Sequence, residues 1–281
     1  MGSSTISLGL GLGGGKSATS SGSPGGGGGG GFANELSLNF DGNDSLDLGT
    51  PFQSTFTSAF SISLWYKQDS ATGTQALFGS RKGGYDVVSA NITSSAVTMW
   101  YESNDIRTRG SIAQTSDTNW HHFCATVQQN GTSCDARIYL DGVYRILIAA
   151  GSVMADYTNT ANLLIGATSY HAIYDPDTYF RGLIDEVAIF STALSDGGIS
   201  IDADAGGLIA DIYNDGVPTT MPTDDLVSFY RMGDGTGDTE SSGGAPANGD
   251  SIGTIVDQAG SNNGTQGTAA NRPTFSSTVP S

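Results

Sequence analysis

Asn119-Trp120-His121-His122-Phe123, Arg137-Ile138-Tyr139-Leu140-Asp141-Gly142 and Gly182-Leu183-Ile184-Asp185-Glu186-Val187-Ala188-Ile189-Phe190 decide the architecture of this chain. Each is a short run rich in β-branched and aromatic residues and bounded by turn formers, the pattern of a strand. The pattern repeats outward from them. Leu36, Leu38 and Phe40 alternate, as do Phe60, Ile62, Leu64 and Tyr66, with Ser61, Ser63 and Trp65 on the other face. Further strands are expected over 75–79, 86–90, 97–101, 122–127, 137–140, 163–165 and 183–190, and Asn130-Gly131 and Asp141-Gly142 supply hairpin turns. Only a turn after Ser195 and another over 208–213 compete with strand. Many short strands without intervening helices make an all-β protein, an antiparallel two-sheet jelly-roll sandwich.

Composition bounds the partners. The 281 residues suit one sandwich with tails. Eleven Lys+Arg against 28 Asp+Glu give a net charge of -17, a field that repels phosphate backbones and anionic lipid. Nucleic acid and membrane are therefore not expected partners. No run of 18 apolar residues occurs, so no spanning helix is expected. Residues 1–12 lack a basic n-region and are interrupted by glycine, so no secretory signal is expected. Myristoylation at Gly2 would need Ser or Thr where Ile6 stands.

The N-terminal arm, 1–31, reads as an anchor and tether. Residues 13–31 are almost entirely Gly, Ser, Ala and Thr and end in seven glycines, too little apolar area to offset ordering entropy. Ahead of them, 6–12 alternates Ile or Leu with Ser or Gly, a sticky peptide suited to docking on another protein. Gly15-Lys16-Ser17 is no phosphate loop, because Leu10 stands where its first glycine belongs and no strand precedes it.

Six phrases in order, Phe40 to Asp44, Phe60 to Trp65, Leu77 to Arg81, Trp120 to Phe123, Arg137 to Gly142 and Gly182 to Ser195, resemble the laminin G-like jelly roll of the concanavalin A-like lectin and glucanase superfamily. The resemblance implies a body over 32–205 and surface recognition rather than a named ligand. It also exposes a departure. The opening strand such domains place before their F-D-G phrase is missing here, and its equivalents lie far downstream, in Leu226-Val227-Ser228-Phe229-Tyr230 and around Asp257 to Thr265. The extension over 206–281 is therefore expected to fold back, with 226–234 in the opening-strand position, since a jelly roll lacking it leaves an unpaired edge. A truncated second repeat and pairing with another copy, in a homo-oligomer, stay open.

Catalytic spellings are weak. The resembling glucanases draw paired carboxylates from an E-x-D-x-x-E phrase, which is absent, and adjacent Asp185 and Glu186 should point to opposite faces of a strand. His121 and His122 lack a marked nucleophile and read as structural, while for His171, in the loop over 170–177, the structural and ligand-contact readings both stay open. Alternation puts Cys124 and Cys134 on different faces, so free thiols are expected. The resemblance suggests a calcium ion held by Asp41, Asp44 and Asp185, each with a structural reading as turn former or buried carboxylate. A sugar needs an aromatic platform and planar polar groups, which cluster over 81–85, 100–109 and 170–179. Arg81, Tyr85, Trp100, Tyr101, Asp105, Arg107 and Arg109 are the candidate ligand contacts.

Arm, acidic exterior and laminin G-like body together resemble bacterial virus appendage proteins. The expectation is a non-enzymatic virion-surface decoration or fibre protein that docks on a capsid or tail protein and binds a glycan or host surface. An extracellular bacterial lectin or adhesin, and behind it a polysaccharide hydrolase, are the alternatives.

Overall fold

A computed structural model describes residues 32–50, 52–70, 73–82, 86–103, 106–113, 117–150, 157, 159–168 and 178–281. The tether and anchor over 1–31 lie outside them. In chain order the strands are β1 (Ser37–Asp41), β2 (Leu46–Asp47), β3 (Phe60–Gln68), β4 (Gln75–Lys82), β5 (Asp86–Ile92), β6 (Ala96–Ser103), β7 (Ile106–Ala113), β8 (Trp120–Asn130), β9 (Ser133–Leu140), β10 (Val143–Ala150), β11 (Leu164–Ile165) and β12 (Arg181–Phe190). Helix α1 (Gly207–Tyr213) follows, then β13 (Leu226–Tyr230), β14 (Thr239–Glu240), β15 (Ile252–Ile255), β16 (Gly264–Thr265) and β17 (Thr274–Ser276). Among the described residues no helix is long and apolar enough to cross a membrane.

Two antiparallel sheets form the sandwich. The first runs β10-β9-β8-β3-β12-β1-β17 with β13 also on β12, and the second runs β14-β15-β16-β2-β11-β4-β5-β6-β7. Alternation puts Leu38, Phe40, Leu64, Tyr66, Phe123 and Ile138 of the first sheet against Phe78, Val88, Ala90, Met99 and Tyr101 of the second, all fully buried.

The C-terminal segment folds back onto this sandwich within the same chain. β1 covers β12 from Arg181 to Ile184, and β13 takes the same edge of β12 from Val187 to Phe190. β17 pairs with the free edge of β1, and β14 to β16 extend the second sheet from β2. Tyr230, Ile252, Ile255 and Phe275 enter the main core from these strands, and Met232 from just beyond β13.

The outer face of the first sheet is covered as well. The segment around α1 brings Leu194, Ile209, Ile212 and Met221 onto Cys124, Tyr139, Ala188 and Phe190 in a second cluster. Ser61, Ser63 and Trp65 are buried beneath it, although alternation alone marked that face as non-core. Their polar atoms are matched to the cover: Ser61 Oγ donates to the Thr192 carbonyl at 2.8 Å and accepts from Leu194 N–H at 2.9 Å. Cys134 faces the main core and Cys124 the second cluster, so the two are not joined in a disulfide.

Candidate functional site

A cleft lies on the outer face of the second sheet among the described residues. Val88, Ala90 and Ile92 of β5 and Met99 and Tyr101 of β6 point inward, so Ser89 and Asn91 share the outer face with Thr98 and Trp100. Register aligns Ser89, Trp100 and Arg109 in one row across β5, β6 and β7. The cleft, of about 240 Å³, lies over them, lined among others by Ser89, Asn91, Thr98, Trp100, Arg109 and Thr168. Gly79 opens one wall: a Cβ there would come within 2.8 Å of the Thr168 side chain, so only glycine lets Thr168 lean over the strand.

Trp100 is the floor. Its Nε1–H donates to Glu102 Oε2 at 3.1 Å, which fixes the ring's rotation, and the Arg109 guanidinium carbon sits 5.0 Å from the ring centroid. Thr98 Oγ1 and Ser111 Oγ bond at 2.7 Å alongside. Asn91 Oδ1 is buried and meets no donor among the described residues, so it can accept a bond from a ligand. An aromatic face, a planar cation and a rim of hydroxyls and amide suit a hydroxylated ring lying on the indole.

The candidate contacts divide. Trp100 and Arg109 meet in the cleft. Arg81 stands on β4 opposite Val87, and Arg107 on β7 opposite Glu102, one row along the same part of the sheet. Tyr85 and Asp105 lie outside the described residues, as does His171 with most of the 170–179 loop; Thr178 at its end lines the cleft. Tyr101 is a correction. As the neighbour of Trp100 on a strand it points the other way, fully buried, with its hydroxyl donating to the Phe56 carbonyl at 2.9 Å. Ser89, Asn91 and Thr168 were missed, and the alternation Val88, Ala90, Ile92 was the signal for the first two.

The expected calcium ligands do not converge. Asp41 lies opposite Arg181 on β12, and Asp185 lies four residues further along that strand, ~13 Å away at the usual rise. Asp44 accepts the Asp41 amide at 2.9 Å and Asp41 accepts the Asn43 amide at 3.1 Å, a self-satisfied turn in which burial pushes Asp44 up to about 6. Among the described residues no three His, Cys, Asp or Glu side chains are grouped to hold a metal ion.

Asp185 and Glu186 are a second correction. Glu186 takes φ 48 in a bulge between Asp185 and Ala188, so the regular alternation expected here is broken, and both carboxyls are fully buried. Burial, then the neighbouring Glu186, raises Asp185 well above the carboxylate range; burial raises Glu186 to about 8 despite Arg231 Nε at 3.2 Å. No substrate reaches side chains so enclosed. His122 is likewise structural, buried against Ser63 Oγ at 2.8 Å and held near 4 by burial.

Residues 40–200 match the family profile described as the Concanavalin A-like lectin/glucanases superfamily, and this chain belongs to that laminin G-like family. A candidate carbohydrate binding protein from Bacteroides ovatus ATCC 8483 has a similar fold, with a TM-score of 0.60 at 17% identity over 88% of this chain, which spans 61% of that protein. The IT-sialidase CBM40 of Ruminococcus gnavus (TM-score 0.47, 16% identity, 57% of this chain and 92% of that one) and domains LG4-5 of the mouse laminin alpha1 chain (0.42, 16%, 63% and 46%) are more distant. No curated protein matches the chain.

Proposed function

We propose that this is a non-enzymatic carbohydrate-binding protein whose ligand lies on Trp100 in the cleft across β5, β6 and β7. The Trp100–Arg109 stack at the centre of a polar cleft carries the reading. The indole takes the C–H face of a pyranose, Arg109 and Asn91 fix its hydroxyls, and the rim selects among sugars. The fold similarity to a protein named for carbohydrate binding is consistent with it. A glycan array probed with the full chain and with Trp100→Ala is the test: retention of some glycan by the first and its loss by the second is expected, and equal retention by both would refute it.

We further infer that the body is displayed on a virion through the arm over 1–31, whose docking peptide and glycine tether suit attachment to a capsid or tail protein. Deletion of 1–31 should abolish incorporation into particles while glycan retention persists; a truncated protein that still joins the particle would contradict the anchor.

A further inference from the structure

A second cleft, of about 500 Å³, opens on the other sheet, where the start of β8 meets the β9–β10 turn and the end of α1. Trp65, Asn119, Trp120, His121, Asp141 and Tyr213 line it, together with Gly216 and Ser281. The volume falls within the ~300–1,000 Å³ of ordinary ligand sites. Tyr213 stacks on Trp65 at 5.9 Å with the rings 19° apart, and His122 backs the indole at 4.9 Å. Gly142 makes this possible, because a Cβ there would lie 2.3 Å from the Tyr213 ring.

The polar groups lining the cleft specify its ligand. Trp65, only 2% exposed, and Trp120 each hold an indole N–H, covered from bulk solvent, that meets no acceptor among the described residues. The carboxylates, in contrast, are taken. Asp141 Oδ2 binds His121 Nδ1 at 2.8 Å and its Oδ1 accepts the His122 amide at 2.9 Å, while Asp117 Oδ1 takes His121 Nε2 at 3.0 Å. The site thus offers aromatic faces and two N–H donors, and the Asp141 and Asp117 carboxylates beside it are engaged by His121 and the His122 amide. A neighbouring cavity of about 230 Å³ shares Asp141 and Tyr213 and is walled by Asp204 and Asp215, so negative charge surrounds the opening and repels anions. The two N–H donors call for oxygen acceptors and the rings for an apolar face, in a ligand that carries no negative charge.

We propose that this cleft is a second carbohydrate site, for an uncharged sugar ring that receives hydrogen bonds from the Trp65 and Trp120 indoles and packs on the Trp120 and Tyr213 rings. It is independent of the Trp100 cleft, which lies on the opposite outer face of the sandwich.

The chain has three tryptophans, which makes the test direct. In the ¹⁵N-labelled full chain the three indole N–H signals, assigned with Trp→Phe variants, are followed during titration with cellotetraose, maltotetraose, xylotetraose, mannotetraose and lactose to 20 mM. At least one of these neutral sugars should shift the Trp65 and Trp120 signals saturably, and 3′-sialyllactose should shift them at least tenfold more weakly. In Trp120→Ala, and separately in Trp120→Phe, which keeps a ring but lacks the donor, the Trp65 shift should shrink at least fivefold. Trp65 and Trp100 signals at native positions before titration show that a variant is folded. Failure of every neutral sugar to move Trp65 and Trp120, or an undiminished Trp65 shift in both variants, overturns the proposal. Movement of Trp100 alone overturns it while leaving the first cleft intact, and movement of Trp65 and Trp120 alone does the reverse.

Discussion

Trp100 and Tyr101 show how much one position decides. They are adjacent and chemically alike, yet strand geometry sends one to the cleft floor and the other into the core against Phe60 and Tyr157. Arg109→Ala should therefore weaken glycan binding by about 1 kcal/mol, roughly fivefold, with little change in thermal stability, because the stack is a surface one. Tyr101→Ala should do the opposite, costing about 3–5 kcal/mol of stability, read by denaturant unfolding. Glu186 gives a pH prediction. Its folded pKa of about 8 lies above that of an unfolded glutamate, so its contribution is fully present below about 4.5 and is lost as pH rises towards 8. Arg231, Asp234 and Asp238 face it and set the residual slope. Glu186→Gln should flatten the fall in Tm between pH 5 and 8, and an unchanged slope would show that Glu186 is ionised in the fold.

At the scale of elements, β12 organises the first sheet, pairing with β3 on one side and with β1 and then β13 on the other. Its start depends on Gly182, at φ +140, where a Cβ would stand 2.1 Å from the Lys67 carbonyl oxygen. Gly182→Ala should cost at least about 2 kcal/mol in chemical denaturation, since backbone and not a flexible side chain must move. The phrase over 182–190 announced this strand because its residues are apolar and β-branched. It gave no sign of the bulge, because Glu186 is not a residue that advertises positive φ. The Trp100–Arg109 cleft was similarly half legible: the residue types pointed to a sugar platform, but Ser89 and Asn91 joined it only through register. The cover over Ser61, Ser63 and Trp65 was hidden for a related reason, since a segment of irregular structure around a seven-residue helix carries no periodicity to read.

The body over 32–281 is a sandwich completed by its own C-terminal strands. Removing 226–281 would strip β13 from β12 and β17 from β1, shorten the second sheet, and take Tyr230, Ile252, Ile255 and Phe275 out of the core. Such a truncation should lack cooperative thermal unfolding by circular dichroism; a cooperative transition near that of the full chain would contradict this assembly. With a net charge of -17, the molecule is set against anionic surfaces, and its two clefts face outward from opposite sheets. One body could then engage two glycan branches, raising avidity on a crowded surface beyond either site alone. Isothermal titration of the glycan retained on the array into the full chain and into Trp100→Ala weighs this reading most directly. A saturable isotherm weakened by about 2 kcal/mol, roughly thirtyfold, in the variant is expected. An identical isotherm in both proteins would place the ligand elsewhere and contradict it.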